Sequence, residues 1–356
     1  MPPLTALLLT DGRPGHYQRA EGILAAIARL RPVETTRVNV HRRRWLPGRV
    51  LARLIDIGMS PARLLKLAYA IDAAKLPCAD LIVSSGGNTL AANVAAARFL
   101  GTPNIFYGGV RRFQPNDFSL VLTSYGGHAA RPRHKMIPLM PVPYDPDTLS
   151  SLIDVKPETS LPPRSLGLLI GGNAGSFRYR PDDWRRLLAF VGDMHAQHGT
   201  RWIIANSRRT PTDVSDEIIR RADDAAGPIS NFLDVRAAGP GSLMRVFVEA
   251  HAVVSTDDSS SLITEAIWLR RPVIGVSPAG ARFAEREDWY RKHLVRNGWT
   301  RSIPIAELSP ERVSTLFAEI RPLTGNPLDL LATTIKEFLP TLLSSQEQLG
   351  RSPKKS

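Results

Sequence analysis

Residues 251–276 read HAVVSTDDSSSLITEAIWLRRPVIGV, a stretch that sets carboxylates and hydroxyls at the start of a helix. The apolar run Ala252-Val253-Val254 breaks into the polar segment 255–261. A helical pattern follows, with Leu262, Ala266 and Leu269 on one face and Ile263 and Ile267 beside them, and Arg271-Pro272 stops it before Val273-Ile274-Gly275-Val276. In an open parallel sheet such a loop lies at the carboxyl end of a strand and the amino end of a helix, where unpaired N–H groups and the helix dipole favour an anion. A diphosphate meets that requirement, held near Asp258, Ser259 and Ser260. Glu265, in the second turn, is then close enough to reach a sugar hydroxyl. Two blander readings stand beside this one. An early glutamate is favoured by the dipole even when it only faces water, and serines are good helix caps.

Other loops repeat the arrangement. The apolar run 4–10 ends in Asp11-Gly12-Arg13-Pro14-Gly15, and a helix is expected from His16 through Ile27. Asp11 and His16 thus stand at the edge where catalytic groups of α/β folds collect, and either is a candidate proton acceptor. A histidine at a helix start also serves simply as a cap or a solvated group. The run 166–170 delivers Gly171-Gly172-Asn173-Ala174-Gly175-Ser176, whose backbone N–H groups can cradle phosphate, although the spacing fits neither the dinucleotide fingerprint nor the Walker loop. The helix after it is expected to begin at Pro181. Trp202-Ile203-Ile204-Ala205 delivers Asn206-Ser207-Arg208-Arg209-Thr210, and that arginine pair can hold phosphate or face water.

These loops need strands and helices to hold them. Strands are expected at 38–40, 81–83, 104–107 and 120–123, with an alanine-rich helix over 90–100, so that residues 4–123 alternate as one doubly wound domain. Between 42 and 75 two helical patterns mix Arg49, Arg53, Arg63 and Lys66 with leucines, after Arg42-Arg43-Arg44-Trp45. That composition suits either a helix lying on an anionic bilayer or an ordinary packed pair with a solvated basic face. Prolines at 138, 141, 143, 146, 157, 162 and 163 mark a boundary, and a final helix is expected over 328–343.

At 356 residues the chain exceeds one ordinary domain, and 43% hydrophobic residues suffice for two cores. No apolar run approaches the roughly 18 residues of a membrane span, and residues 1–10 do not read as a signal peptide, so a cytoplasmic protein is expected. The single cysteine, Cys78, excludes an internal disulfide framework and a cysteine zinc cage, and is expected to be buried. The charge of +13 points to an anionic partner or surface. Nucleic acid, anionic lipid and a phosphorylated substrate all satisfy it.

Asp11-Gly12-x-Pro14-Gly15-His16, Gly171-Gly172, Ser207-Arg208-Arg209-Thr210-Pro211, Thr256-Asp257-Asp258-Ser259 through Glu265-Ala266, and Arg271-Pro272-Val273 occur in an order that resembles the elongated-mitochondria fission family. The likeness spans most of the chain and is most specific over 166–299. That family's carboxyl half is similar to nucleotide-sugar glycosyltransferases of the GT-B type. The resemblance implies an α/β, GT-B-like fold of two Rossmann-like doubly wound domains facing a cleft. Its divisions would be 1–145, a proline-rich linker at 146–163, 164–327, a helix at 328–346 packing back on the first domain, and a disordered tail at 347–356. It further implies Glu265 on the donor ribose, the loops at Gly171 and Ser259 on the diphosphate, and transfer of a sugar from a uridine-type nucleotide to a membrane-associated acceptor. The adjacent Asp257 and Asp258 are not the alternating aspartate pair of metal-using enzymes, so neither metal nor cofactor is expected. Nucleic acid is not expected as a partner, whereas an anionic membrane surface is, through residues 42–75, from a peripheral position on the inner face. Two alternatives remain: a noncatalytic adaptor docking on a membrane or protein, as plant members recruit a fission dynamin, and a nucleotide-sugar 2-epimerase.

Overall fold

A computed structural model describes residues 2–128, 130–152, 162–238 and 243–343. The chain forms two compact units, Met1–Tyr144 with Gly325–Ser356, and Asp145–Thr324.

In the first unit, β1 (Leu4–Thr10), α1 (Pro14–Ala28), β2 (Val33–Asn39), α2 (Gly48–Asp56), α3 (Pro61–Tyr69), β3 (Leu81–Ser85), α4 (Leu90–Leu100), β4 (Asn104–Tyr107), β5 (Leu120–Thr123) and β6 (His134–Met136) follow one another. The strands form a parallel sheet in the order β2-β1-β3-β4-β5-β6. Strand side chains alternate between faces. Leu7, Leu9, Ile82, Phe106 and Val121 therefore share one buried cluster with α2, α3 and α4, while α1 packs against β1 and β3. Small residues Ala91, Ala92, Ala95 and Ala96 let α4 approach the sheet closely.

The second unit runs α5 (Pro146–Leu152), β7 (Ser165–Leu169), α6 (Pro181–His198), β8 (Arg201–Ala205), α7 (Thr212–Ala222), β9 (Ile229–Leu233), α8 (Val235–Ala238), α9 (Met244–Glu249), β10 (Ala252–Thr256), α10 (Ser260–Trp268), β11 (Val273–Ser277), α11 (Glu285–Arg296), β12 (Thr300–Pro304) and α12 (Pro310–Ala318). Its sheet is also parallel, in the order β12-β11-β10-β7-β8-β9. Leu166, Leu168, Ile204, Val254 and Ile274 meet Trp184, Leu187 and Met194 of α6 and Val313 and Phe317 of α12 in its core. The chain then returns to the first unit through α13 (Pro327–Phe338) and α14 (Pro340–Leu343). There α13 packs on α1, and Arg29 Nε donates to Asp329 at 2.7 Å.

Several expectations need correction. The first long helix starts at Pro14, since proline fits the first helical position and leaves His16 inside the first turn. The strand expected at 38–40 is β2, which begins at Val33. Residues 34–37 are exposed, as an edge strand allows. Within the span expected as a linker, Pro146–Leu152 is helical, and residues 153–161 lie outside the described residues. The final helix divides between Phe338 and Pro340, because Pro340 has no N–H to continue it. Cys78 is exposed. The tail expected at 347–356 lies outside the described residues. Among the described residues no helix is long and apolar enough to cross a membrane.

Candidate functional site

Parallel sheets bind ligands beyond their strand ends where the strand order reverses direction. In the first unit that point lies between β1 and β3, and there the loops 11–13 and 86–89 deliver the residues described next. Nδ1 of His16 lies 3.0 Å from each oxygen of the Asp11 carboxylate, and Asn88 Nδ2 donates to Asp11 at 3.0 Å. The Asp11 side chain is 4% exposed and that of His16 32%. Burial by itself raises the Asp11 carboxyl, but the hydrogen bond and charge of His16, then Asn88 and the Arg13 N–H, hold it below its usual value. An ionised Asp11 only accepts, so Nδ1 carries the proton and a neutral His16 keeps its lone pair on Nε2. This pairing orients the ring and leaves Nε2 as an acceptor.

Two further contacts set this geometry. A Cβ on Gly86 would stand 2.2 Å from His16 Nδ1, and its backbone φ is +91°, so both space and conformation call for glycine. Tyr69 of α3 donates to the Asn88 carbonyl at 2.8 Å and accepts from the Ala92 N–H at 3.3 Å, fixing the loop that aims Asn88 at Asp11. Desolvation pushes the Tyr69 hydroxyl well above its ordinary pKa, so it stays a donor. Asn88, Gly86 and Tyr69 were missed by sequence reasoning. The placing of β3 beside β1 brings Asn88 to Asp11 and Gly86 to His16.

In the second unit the order reverses between β7 and β10, and the loops after those strands touch. Gly171 N–H donates to Thr256 Oγ1 at 2.7 Å and Gly172 N–H to Asp258 Oδ2 at 3.2 Å. A Cβ on Gly171 would fall 2.2 Å from the Asp258 carboxylate, and one on Gly172 would fall 2.1 Å from the Arg209 carbonyl. The two glycines thus admit neighbouring chain, which is a tighter requirement than loop flexibility. Asp258 also accepts from Tyr179 Oη at 3.1 Å and pairs with Arg209 at 2.5 Å. Ser207 Oγ and Thr210 Oγ1 both donate to the Gly171 carbonyl, at 3.0 and 2.7 Å. Arg208 is exposed and has no ion pair among the described residues. The exposed Asn173 accepts from the Tyr179 N–H at 2.8 Å.

Ser259 occupies the cap position of α10, but its side chain makes no capping bond. Ser260 Oγ accepts from Arg291 Nε at 3.0 Å. Arg291 also donates to Asp257, through Nη1 to the carboxylate at 3.1 Å and through Nη2 to the carbonyl at 2.8 Å. Burial raises the Asp257 carboxyl, against the Arg291 charge and the Ser302 hydroxyl, which lower it. Arg291, from α11, therefore anchors the start of α10. Glu265 is 5% exposed, which overturns its reading as a solvated glutamate.

Two six-stranded parallel sheets flanked by helices define an α/β protein of the GT-B-like class, with two Rossmann-like units. Solved structures share the fold over nearly their whole length. A putative UDP-N-acetylglucosamine 2-epimerase from Listeria monocytogenes matches with a TM-score of 0.54 at 11% identity, covering 97% of this chain and 98% of that one. The UDP-GlcNAc 2-epimerase of Methanocaldococcus jannaschii gives 0.53 at 12% identity, over 95% and 99%. That of Neisseria meningitidis, bound to UDP-GlcNAc, gives 0.50 at 11% identity, over 95% and 100%. Residues 14–321 match the mitochondrial fission ELM1 family, and the chain belongs to it. No curated protein sequence matches significantly.

Proposed function

We propose that the protein transfers a sugar from a nucleotide-diphosphate sugar, with uridine as its base, to a hydroxyl of a membrane-associated acceptor. The observation that carries this reading is the Asp11–His16 pair, whose geometry suits removal of a hydroxyl proton by Nε2. The donor belongs to the second unit: Glu265 takes the ribose, the amides after β7 and at the start of α10 take the diphosphate, and Arg208 offsets charge growing on the leaving group. That a neighbour of the same fold is bound to UDP-GlcNAc supports the choice of donor.

The acceptor side rests on residues 42–66. Trp45 is 62% exposed, Ile57 71% and Val50 38%, and Arg43, Arg44, Arg49, Arg53, Arg63 and Lys66 around them are exposed too. Apolar side chains in a basic field suit the headgroup layer of an anionic bilayer.

The test incubates the chain with labelled UDP-sugars and acceptor-bearing anionic vesicles. Labelled lipid and free UDP are expected from the wild type, while His16→Ala yields neither yet still binds nucleotide. A modified sugar nucleotide formed without acceptor would favour the epimerase. Absence of any nucleotide-induced thermal shift would favour the adaptor, because a site filled to ~100 times its Kd adds about 2.7 kcal/mol of stability.

A further inference from the structure

The donors expected to meet the diphosphate after β7 already hold an anion, and it is part of the chain. The Asp258 carboxylate, 0% exposed, takes the Gly172 N–H, the Tyr179 hydroxyl and the Arg209 guanidinium together. Gly171 lacks the Cβ that would expel it. Tyr179 is itself immobilised by stacking on Trp184, with ring centroids 4.7 Å apart, and burial together with Asp258 and Asp257 drives its pKa far up, so its hydroxyl remains a donor. Gly172 N–H and the Arg209 guanidinium converge on one oxygen, Asp258 Oδ2, and such a pair of donors also makes a fitting site for a phosphoryl oxygen, while Tyr179 holds the other carboxylate oxygen.

We propose that Asp258 is a built-in competitor for this oxyanion site, so that a phosphoryl group gains Gly172 and Arg209 only by displacing the carboxylate. The inference rests on reading the loop after β7 as a phosphate site. Arg209 makes the exchange feasible. Its side chain is 45% exposed and can turn toward solvent-borne phosphate while Arg291 holds Asp257, the residue before Asp258, in place. The arrangement sets specificity by charge. A singly charged or neutral ligand competes poorly with a carboxylate already seated on three donors, whereas a pyrophosphate brings more charge to the same guanidinium. A purely positioning Asp258 would act oppositely, by holding Arg209 where phosphate needs it.

Inorganic pyrophosphate separates the two roles, because it tests the oxyanion site without sugar, base or transfer. Titration calorimetry on the full chain should show Asp258→Asn binding pyrophosphate at least tenfold more tightly than wild type, and Asp258→Asn with Arg209→Ala should lose that gain. Tyr179→Phe keeps the stacking and removes one donor from the carboxylate, so it should shift affinity in the same direction by a smaller factor. It also stands in if Asp258→Asn does not fold. Unchanged or weaker binding in the folded variants overturns the competitor role, even where the wild type transfers sugar. Tighter binding sustains it even where no transfer is found.

Discussion

His16 and Asp11 stand five residues apart in sequence, across the turn between β1 and α1, with Nδ1 at 3.0 Å from both carboxylate oxygens. A single oxygen at that distance would leave the ring free to pivot, whereas a straddled carboxylate orients the imidazole plane. Replacing Asp11 by Asn keeps the shape and removes the charge that favours an imidazolium during proton transfer. Transfer by Asp11→Asn should fall by about 10²- to 10⁴-fold with nucleotide affinity within a factor of two or so. Steady-state kinetics beside calorimetry reads both, and a parallel loss of nucleotide affinity would remove Asp11 from the chemistry.

Glu265 is buried, so truncating it confuses a lost ligand contact with a cavity. Glu265→Gln preserves volume and is the cleaner variant. If the carboxylate holds the ribose, a charged hydrogen bond worth about 1.5–3 kcal/mol is weakened and UDP affinity drops by roughly 10- to 100-fold. Equal affinity in a folded Glu265→Gln protein refutes the ribose assignment.

Removing Arg291 leaves the buried Asp257 carboxylate unpaired. Arg291→Met should cost about 3–5 kcal/mol in urea unfolding, and Asp257→Asn added to it should recover part of the loss, because the neutral amide no longer strands a charge. Simple additivity of the two effects would show that the pair contributes no coupling.

Acid should weaken the second unit through Asp234. The Arg236 hydrogen bond, aided by Asn206, holds its carboxyl at about 2 against an ordinary 3.8. A carboxyl depressed in the folded state stabilises fully above its unfolded pKa, and that contribution disappears as pH falls through the folded value. The stability gap between wild type and Asp234→Asn should therefore be constant above about pH 5 and narrow progressively between 4 and 2. A gap independent of pH would contradict the ion pair. Asp11, also depressed, has the same sign.

Membrane docking is testable apart from catalysis. Sedimentation with phosphatidylserine vesicles should weaken by roughly fivefold for each of Arg49→Ala and Arg53→Ala, about 1 kcal/mol per cation near an anionic surface, and should fade with added salt. Trp45→Ala with Ile57→Ser should weaken binding at every salt concentration. Vesicle binding indifferent to all four changes would leave residues 42–66 as an ordinary solvated face.

Much of the framework could be read from apolar runs. β1, α4, β4 and β5 fall where the runs 4–10, 90–100, 104–107 and 120–123 lie, because buried parallel strands and alanine-rich helices write continuous signals. β2 was partly hidden, since Glu34, Thr35, Thr36 and Arg37 face solvent at a sheet edge. The positions of Asp11 and His16 were legible because one directly follows a strand and the other lies in the first turn of the next helix. Asn88 was not, as its place beside Asp11 depends on strand order, which no local pattern encodes. Nor could spacing reveal that Asp258 fills the room left by Gly171, a contact between residues far apart in sequence.

The return of α13 to α1 carries a consequence for biosynthesis. The first unit begins at the amino terminus, yet one of its packed helices, residues 327–338, is made only after the whole second unit. On the ribosome, Asp145–Thr324 has all its strands available while α1 still lacks a neighbour. The six strands of the amino-terminal sheet are thus made before the second unit, yet the face of α1 that α13 covers stays open until residues 327–338 follow.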